Sequence, residues 1–391
     1  MPFVTMGRSK RSQSEAHGMS TITSNKNIPQ HVKRLAQNRE TPFLAINKNK
    51  VQRKFRQFTE AMPDARVFYA VKTNSNKRIV NILHDAGSGF EISSKDELDL
   101  LLNCGVPGNK IISSNPLKNI PFIRAAHGAG VKYFAFDSET EIAKLAEHAP
   151  GSNIYIRLTV SNEGSQWPLS RKFGVETEIA ADLLINAARH NLIPCGITFH
   201  VGSQCIDANS WGNAIKKSRL VWEMVKAQGI ELKMLNIGGG FPVEYVDSIP
   251  SVNQIATAVN KSLKTEFPNG IDIFTEPGRT FVGEAGTLVS TVIAKAKRNE
   301  ENWLYLDVGV FNGLMESIGG IEYSMYPEKT GPLQKWVVAG PSCDSMDVIS
   351  NEIRLPEPEV GDKVYIASAG AYTTAYASRF NGFPIPKTYL Y

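Results

Sequence analysis

A lysine, a histidine, three consecutive glycines and an acid–arginine pair each follow a short apolar run in this 391-residue chain. Lys72 follows Val67-Phe68-Tyr69-Ala70-Val71, and His200 follows Gly196-Ile197-Thr198-Phe199. Gly238-Gly239-Gly240 follows Leu235-Asn236-Ile237, and Glu276-Pro277-Gly278-Arg279 follows Asp272-Ile273-Phe274-Thr275. A lysine at a strand end is either solvated, as most lysines are, or a partly desolvated amine that forms a Schiff base with a carbonyl. The glycines make either a flexible turn or a place where backbone N–H groups approach an anion. Gly278 and Arg279 add an amide and a guanidinium, so a phosphate could be gripped from two adjacent loops. Glu276, aimed by the fixed backbone of Pro277, either bridges to Arg279 or Arg157 or keeps a pyridine nitrogen protonated, which makes that ring an electron sink. His200 is either a satisfied core histidine or a ring lying flat on a planar cofactor. Cys343-Asp344, in the turn Gly340-Pro341-Ser342-Cys343-Asp344, is either inert packing or an accessible proton donor beside a carboxylate that takes an ammonium. Tyr372, after Gly370-Ala371, is a packed surface ring or a phosphate ligand.

These groups need elements that bring them together. Eight β-rich runs recur: 67–71, 89–93, 111–114, 133–137, 154–160, 196–201, 235–240 and 272–276. Between them, 76–86, 95–103, 120–129, 139–149, 177–191, 209–227 and 252–267 carry apolar residues three and four apart, the helical period. Ser94 before Glu97, and Asp137 before Thr140, supply helix-start side chains. Eight βα units over about 220 residues fit a closed (β/α)8 TIM-like barrel, with an open doubly wound sheet as the alternative. In the barrel, strand-end groups gather on the C-terminal rim however distant they are in sequence, so Lys72, Arg157, His200, the glycines and Glu276 share one mouth. After 281 the pattern changes to Val-, Thr-, Ile- and Tyr-rich runs at 286–296, 303–308, 334–339 and 363–367, with turn signals at 356–358 and 360–362. The expected class is α/β, with a barrel at 40–281 followed by a C-terminal all-β domain at 282–391. Residues 28–39 are expected to join that domain, the stretch to about 43 supplying an edge strand or a helix.

Composition narrows the function. The 43 Lys+Arg against 38 Asp+Glu leave a formal net charge of +5, dispersed except at 8–11, so no basic stripe for nucleic acid is present. Small-molecule chemistry is expected. Cys104, Cys195, Cys205 and Cys343 show neither metal-ligand spacing nor the density of a secreted disulfide scaffold; free thiols, no metal and a reducing compartment are expected. No apolar run reaches the roughly 18 residues of a membrane span, and the first 27 residues, rich in Ser, Thr, Lys, Asn and Arg, read as a disordered leader. A cytoplasmic protein is the expectation.

Taken together and in order, Tyr69-Ala70-Val71-Lys72, His200-Val201-Gly202-Ser203, Gly238-Gly239-Gly240, Glu276-Pro277-Gly278-Arg279, Cys343-Asp344 and Gly370-Ala371-Tyr372 resemble the ornithine, diaminopimelate and arginine decarboxylase family, of alanine-racemase-like fold. The resemblance runs from about 40 to 390. It implies pyridoxal 5′-phosphate joined to Lys72 as an imine, His200 stacked on its ring, and Glu276 on its pyridine nitrogen. It implies a phosphate held by Ser203, Gly239, Gly240, Arg279 and Tyr372, with Gly238 and Gly278 also binding the cofactor and Glu91, Glu97 and Arg157 nearby. It further implies a homodimer in which Cys343 and Asp344 complete the partner's site. Cys-Asp is the pattern of ornithine and lysine enzymes, where diaminopimelate enzymes have Cys-Glu, so Asp344 is expected on a terminal ammonium and ornithine is the first choice. Many ornithine enzymes carry a further Asp after the 307–309 segment, where this chain offers Glu316 or Glu322 without a clear counterpart; Glu316 and Tyr372 are expected at the substrate, and lysine or a less common basic amino acid stays open. A non-catalytic antizyme-inhibitor-like protein is the rival of another class, but it predicts loss of the lysine or the thiol, and both are present. A racemase would lack the complete Cys-Asp element.

Overall fold

The computed structural model describes residues 28–169 and 171–391. The leader expected at 1–27 lies outside the described residues. Among the described residues no helix is long and apolar enough to cross a membrane.

Strands are numbered in chain order. After β1 (Phe43–Ile46), the chain lays down β2 (Ala65–Ala70), β3 (Gly89–Glu91), β4 (Ile111–Ser113), β5 (Tyr133–Phe136) and β6 (Asn153–Arg157). The short β7 (Ser165–Trp167) precedes β8 (Ile193–Thr198), and β9 (Ser203–Cys205) precedes β10 (Met234–Asn236) and β11 (Asp272–Thr275). Strands β2, β3, β4, β5, β6, β8, β10 and β11 are parallel neighbours in a closed barrel, sealed where Ile273 to Thr275 of β11 pair with Ala65 to Val67 of β2. All eight expected strands and all seven expected helices are present, so the open sheet is set aside.

Closure follows from burial on both strand faces. Phe68, Ile112, Ala135, Tyr155, Cys195, Met234 and Phe274 fill the barrel interior, with the Arg66 guanidinium stacked 4.6 Å from the Phe274 ring. The alternate residues Val67, Tyr69, Phe90, Ile111, Phe134 and Ile154 face the helical layer. One of those helices, Lys48–Ala61, went unread in the sequence because only Val51, Phe55 and Phe58 of its fourteen residues are buried in an otherwise polar run. Asn47 starts it by accepting from the Lys50 amide at 3.0 Å.

The C-terminal domain contains β12 (Gly286–Arg298), β13 (Glu301–Leu306), β14 (Met325–Pro327), β15 (Leu333–Ala339), β16 (Val348–Pro356), β17 (Lys363–Ile366) and β18 (Lys387–Leu390). Long β12 organises it, pairing with β17 over Leu288 to Thr291 and with β13 beyond a register shift at 292–294. Residues 28–43 supply both expected alternatives, a helix at Gln30–Asn38 and the start of β1. A barrel beginning at 40 would claim β1, yet β1 pairs antiparallel with β12 and parallel with β18. Its backbone bonds therefore place it in the second sheet.

One helix start differs from expectation. Ser94 does accept from the Glu97 amide at 3.3 Å, but Asp137 caps nothing; its carboxylate accepts from the Gly174 amide at 2.9 Å and ties down the loop after β6.

The domains meet at the turn carrying Lys72. The Tyr372 amide donates to the Thr73 carbonyl at 2.8 Å, and the buried Asn74 side chain donates to the Gly370 carbonyl at 2.9 Å. Replacing Asn74 with Ala is expected to cost about 1–3 kcal/mol, the penalty for stranding a buried acceptor. Urea unfolding checks this as a lower midpoint at unchanged slope.

Candidate active site

The rim groups converge because each sits at the end of a parallel strand. Lys72 lies in the turn Val71–Thr73 after β2, Glu91 ends β3, Arg157 ends β6 and Glu276 follows β11. Together with His200, Ser203, Ser114 and Glu316, and with Tyr372 from the second domain, Lys72, Arg157 and Glu276 line a cavity of about 550 Å³. A slightly larger cavity of about 600 Å³, beside the 48–61 helix, is lined by Lys54, Glu60, Glu244 and Glu284 and holds none of the rim groups.

Lys72 Nζ lies 2.7 Å from the fully buried carboxylate of Glu91. Surrounding protein opposes the ammonium, but its side chain is 46 % exposed to the open mouth. Glu91, Tyr372 and Glu276 outweigh the burial and hold the amine above its ordinary value. His200 is driven the other way, first by burial and then by Arg157 and Lys72, so its imidazole is neutral. Its Nδ1 accepts from the Gly202 amide at 3.0 Å, which leaves the proton on Nε2.

Glu276 is buried, and one oxygen is fully occupied. Ser114 Oγ and Asn236 Nδ2 both donate to Oε1, and Ser114 also meets the Tyr155 hydroxyl. Among the described residues nothing donates to Oε2. The salt-bridge reading through Arg279 does not hold, because that guanidinium is turned elsewhere. Burial, then the charge of Glu91, raises the Glu276 carboxyl above its ordinary value. A cationic N–H facing Oε2 would relieve both.

The glycine run makes a tight cradle. A Cβ at Gly239 would fall 2.6 Å from the Glu276 carbonyl oxygen, and one at Gly240 would fall 2.5 Å from the Gly202 carbonyl at a backbone φ of +95°. Only glycine fits these close approaches. Gly238 spends its amide on Asn236 Oδ1, whereas the amides of Gly239 and Gly240 have no acceptor among the described residues. Ser203 Oγ lies 3.0 Å from Arg279 Nη2, and the Arg279 guanidinium lies 4.8 Å from the Tyr372 ring. Arg279 Nε is buried without a partner among the described residues.

Glu316 departs from expectation. Both its oxygens are on Arg279, Oε2 at 2.8 Å from Nη1 and Oε1 at 2.5 Å from Nη2, and both residues are almost fully buried. A carboxylate committed to a guanidinium fork is not available to a distal ammonium, so Glu316 is a partner of Arg279. Cys343 and Asp344 lie outside the cavity of their own chain. Cys343 is exposed, with Sγ 3.3 Å from Asn381 Oδ1, and Asp344 accepts from the Met346 amide.

Several site residues escaped the sequence reading. Ser114 closes an expected strand, so the rim rule that selected Glu276 also pointed to it; Asn236 lies inside the run expected at 235–240, and only the observed strand ends there. Tyr245, which accepts from Arg279, and Trp167 and Tyr376, which line the cavity, lie in segments without a spacing signal.

The residues present fit pyridoxal 5′-phosphate: an amine for its aldehyde, an unpartnered carboxylate oxygen for its ring nitrogen, and two unused amides with two hydroxyls for its phosphate. Among the described residues no group of His, Cys, Asp or Glu is placed to hold a metal ion. Residues 48–283 match the family of the pyridoxal-dependent decarboxylases, over its pyridoxal binding domain. The chain belongs to this family. It is 35 % identical to a lysine/ornithine decarboxylase of Selenomonas ruminantium, over 92 % of each chain. It is also 36 % identical to antizyme inhibitor 2 of Xenopus laevis, over 87 % of this chain and 79 % of that one. The solved lysine/ornithine decarboxylase of Vibrio vulnificus, complexed with putrescine, superposes with a TM-score of 0.86 at 30 % identity, covering 94 % of this chain and 99 % of that one. The protein is a pyridoxal-phosphate-dependent decarboxylase of basic amino acids.

Glu97, in the first turn of the helix 95–102 that follows β3, carries a pH signature. Burial, then Glu91, pushes its carboxyl from 4.5 up to about 7, against the Ser93 amide that donates to it at 2.6 Å. A carboxyl whose native pKa lies above its unfolded one contributes stability that is full in acid and lost as pH rises through the native value. The melting temperature of the wild type minus that of Glu97→Gln is therefore expected to fall between about pH 5 and about pH 8. A constant difference across that window would contradict the assignment.

Proposed function

We propose that this decarboxylase acts on L-ornithine, releasing CO₂ and putrescine in a cytoplasmic polyamine-forming step, as a homodimer with shared active sites. The observation that carries the substrate choice is Cys343-Asp344, a thiol followed by the shorter acid. The Vibrio vulnificus relative, solved with putrescine and with cadaverine, supports a diamine product of either length. Lysine, alone or beside ornithine, is the alternative, and diaminopimelate the next, since one methylene in a pocket is worth only about 1–3 kcal/mol.

When bound, pyridoxal phosphate supplies the electron sink for loss of CO₂. Lys72 holds the cofactor, yields to the substrate α-amine, and afterwards releases the product. Oε2 of Glu276 keeps a proton on the pyridine nitrogen, and neutral His200 packs against the ring without adding charge. Arg157 balances the carboxylates of the mouth. Cys343 delivers a proton to Cα, and Asp344 accepts the distal ammonium in a charge-assisted hydrogen bond.

For the last two residues to act, they must come from a second subunit. Support lies in the surface around them: Met346, three residues after Cys343, and Phe380, next to the Asn381 that Cys343 contacts, are apolar and 58 % and 40 % exposed. Four free thiols are in keeping with a reducing compartment.

CO₂ release from ornithine, lysine, arginine and diaminopimelate, assayed separately, tests the substrate. Ornithine is expected to give the highest kcat/KM, and release from diaminopimelate alone would overturn the role of Asp344. Asp344→Asn is expected to lower kcat/KM for ornithine by about 10- to 100-fold, the worth of a hydrogen bond to a charged group. Lys72→Ala should lose the imine absorbance that borohydride bleaches. Cys343→Ala should protonate the wrong atom and release an aldehyde. Mixing these two variants should regain formation of the amine if sites are shared across subunits, and no recovery argues against the dimer.

A further inference from the structure

The chain leaving β4 wraps around an ammonium. The Lys118 side chain has no exposed surface. Its Nζ donates to the carbonyls of Asn115 at 2.9 Å, Pro116 at 3.2 Å and Ala135 at 2.5 Å, and lies 3.1 Å from Glu141 Oε2. The β4–β5 ladder ends at Ser113 and Phe134, and the ammonium takes the carbonyl of the next β5 residue, Ala135. The Lys118 amide also donates to Glu141 Oε1, while Lys144 pairs with Glu141 and caps the Lys118 carbonyl. Every acceptor within reach is backbone or Glu141, so this charge is used on the path of one loop.

That loop enters the active site. It begins at Ser114, whose hydroxyl holds Oε1 of Glu276 and meets Tyr155, and continues through Asn115, which lines the cavity. An apolar side chain would close a loop without the cost of burying an ammonium. It would not draw two successive carbonyls inward and set the residue before them.

We propose that Lys118 is a positioning residue: its ammonium fixes the loop 114–118 so that Ser114 anchors one oxygen of Glu276 and leaves the other facing the cofactor's ring nitrogen. The inference rests on Glu276 being the carboxylate that meets that nitrogen. Action runs from Lys118 to the Asn115 and Pro116 carbonyls, to Ser114, to Glu276.

A double-mutant cycle tests it. Lys118→Met, Ser114→Ala and the double variant are compared for kcat, KM, melting temperature, and the affinity of the apo-protein for pyridoxal phosphate followed by absorbance. Lys118→Met and Ser114→Ala are each expected to weaken cofactor binding and to lower kcat by about 10-fold with KM little changed, as for loss of one aimed hydrogen bond. The double variant is expected to be no worse than Ser114→Ala, because the two act in series. Multiplying effects, or a Lys118→Met variant that melts lower yet binds cofactor and turns over like the wild type, would overturn the proposal. If Lys118→Met does not fold, Lys118→Gln, which is uncharged, one bond shorter and has two donors where the ammonium has three, is put through the same cycle with the same criteria. Glu276→Gln separates the two ideas. If it leaves cofactor affinity and spectrum unchanged, the underlying reading of Glu276 fails; if it alone changes them, only the role of Lys118 fails.

Discussion

A carboxylate shut away from water at the rim of a barrel is the constraint around which this site is arranged. Glu276 is only 8 % exposed and shares the mouth with Glu91, a second acid with no exposed surface. Two neutral donors, Ser114 and Asn236, stabilise one oxygen but bring no charge. The nearer cations are committed: Lys72 to Glu91 and Arg279 to Glu316. Arg157 feels the Glu276 charge most among its neighbours, but its guanidinium lies over the Phe173 ring at 5.7 Å. At a few ångströms and a low effective dielectric, such a charge favours any positive donor brought to it by several kcal/mol. The unsatisfied oxygen of Glu276 is thus a demand for a positive donor, built before any ligand arrives.

Barrel closure makes the demand local. Lys72 and Glu276 are far apart in sequence, yet the β11–β2 seam makes their strands neighbours, with Pro277 accepting from the Ala70 amide. The second domain then locks the lysine turn through Thr73, Asn74 and Gly370. It also supplies Tyr372, whose backbone φ of +60° is one that non-glycine residues seldom adopt. A ring stacked on Tyr376 and facing Arg279 holds that conformation in place. Neither domain alone presents both the amine and the phenol.

The legible part of this architecture was whatever repeats with a period or ends a strand. Eight apolar runs and seven amphipathic helices carried the barrel, and the rim rule carried Lys72, His200, the glycines and Glu276. Strand β1 was hard to assign because four consecutive buried residues, Phe43 to Ile46, look alike in either sheet; only its pairing to β12 and β18 decides. The 48–61 helix hid because three buried residues in fourteen make a faint stripe. Glu316 was read as an acid free to bind substrate, yet both its oxygens are on Arg279, since sequence names the side chain and not the partner it turns toward. Lys118 carried no signal, for a buried lysine looks like an exposed one until the carbonyls around it are seen.

The Arg279–Glu316 pair shows what a buried charge can contribute besides stability. Desolvating a guanidinium and a carboxylate costs about as much as their mutual attraction returns, so the pair adds little to folding. It does settle geometry. With both η nitrogens forked onto Glu316, and further held by Ser203 and Tyr245, the guanidinium plane cannot rotate toward the cavity. Its positive charge is largely cancelled, which leaves anion recognition to directional groups: the Gly239 and Gly240 amides and the hydroxyls of Ser203 and Tyr372. A cradle of aimed dipoles discriminates by shape, where an unpaired arginine would take any small anion. If this cradle takes the phosphate as proposed, Glu316 makes that end of the site selective by keeping Arg279 from acting alone.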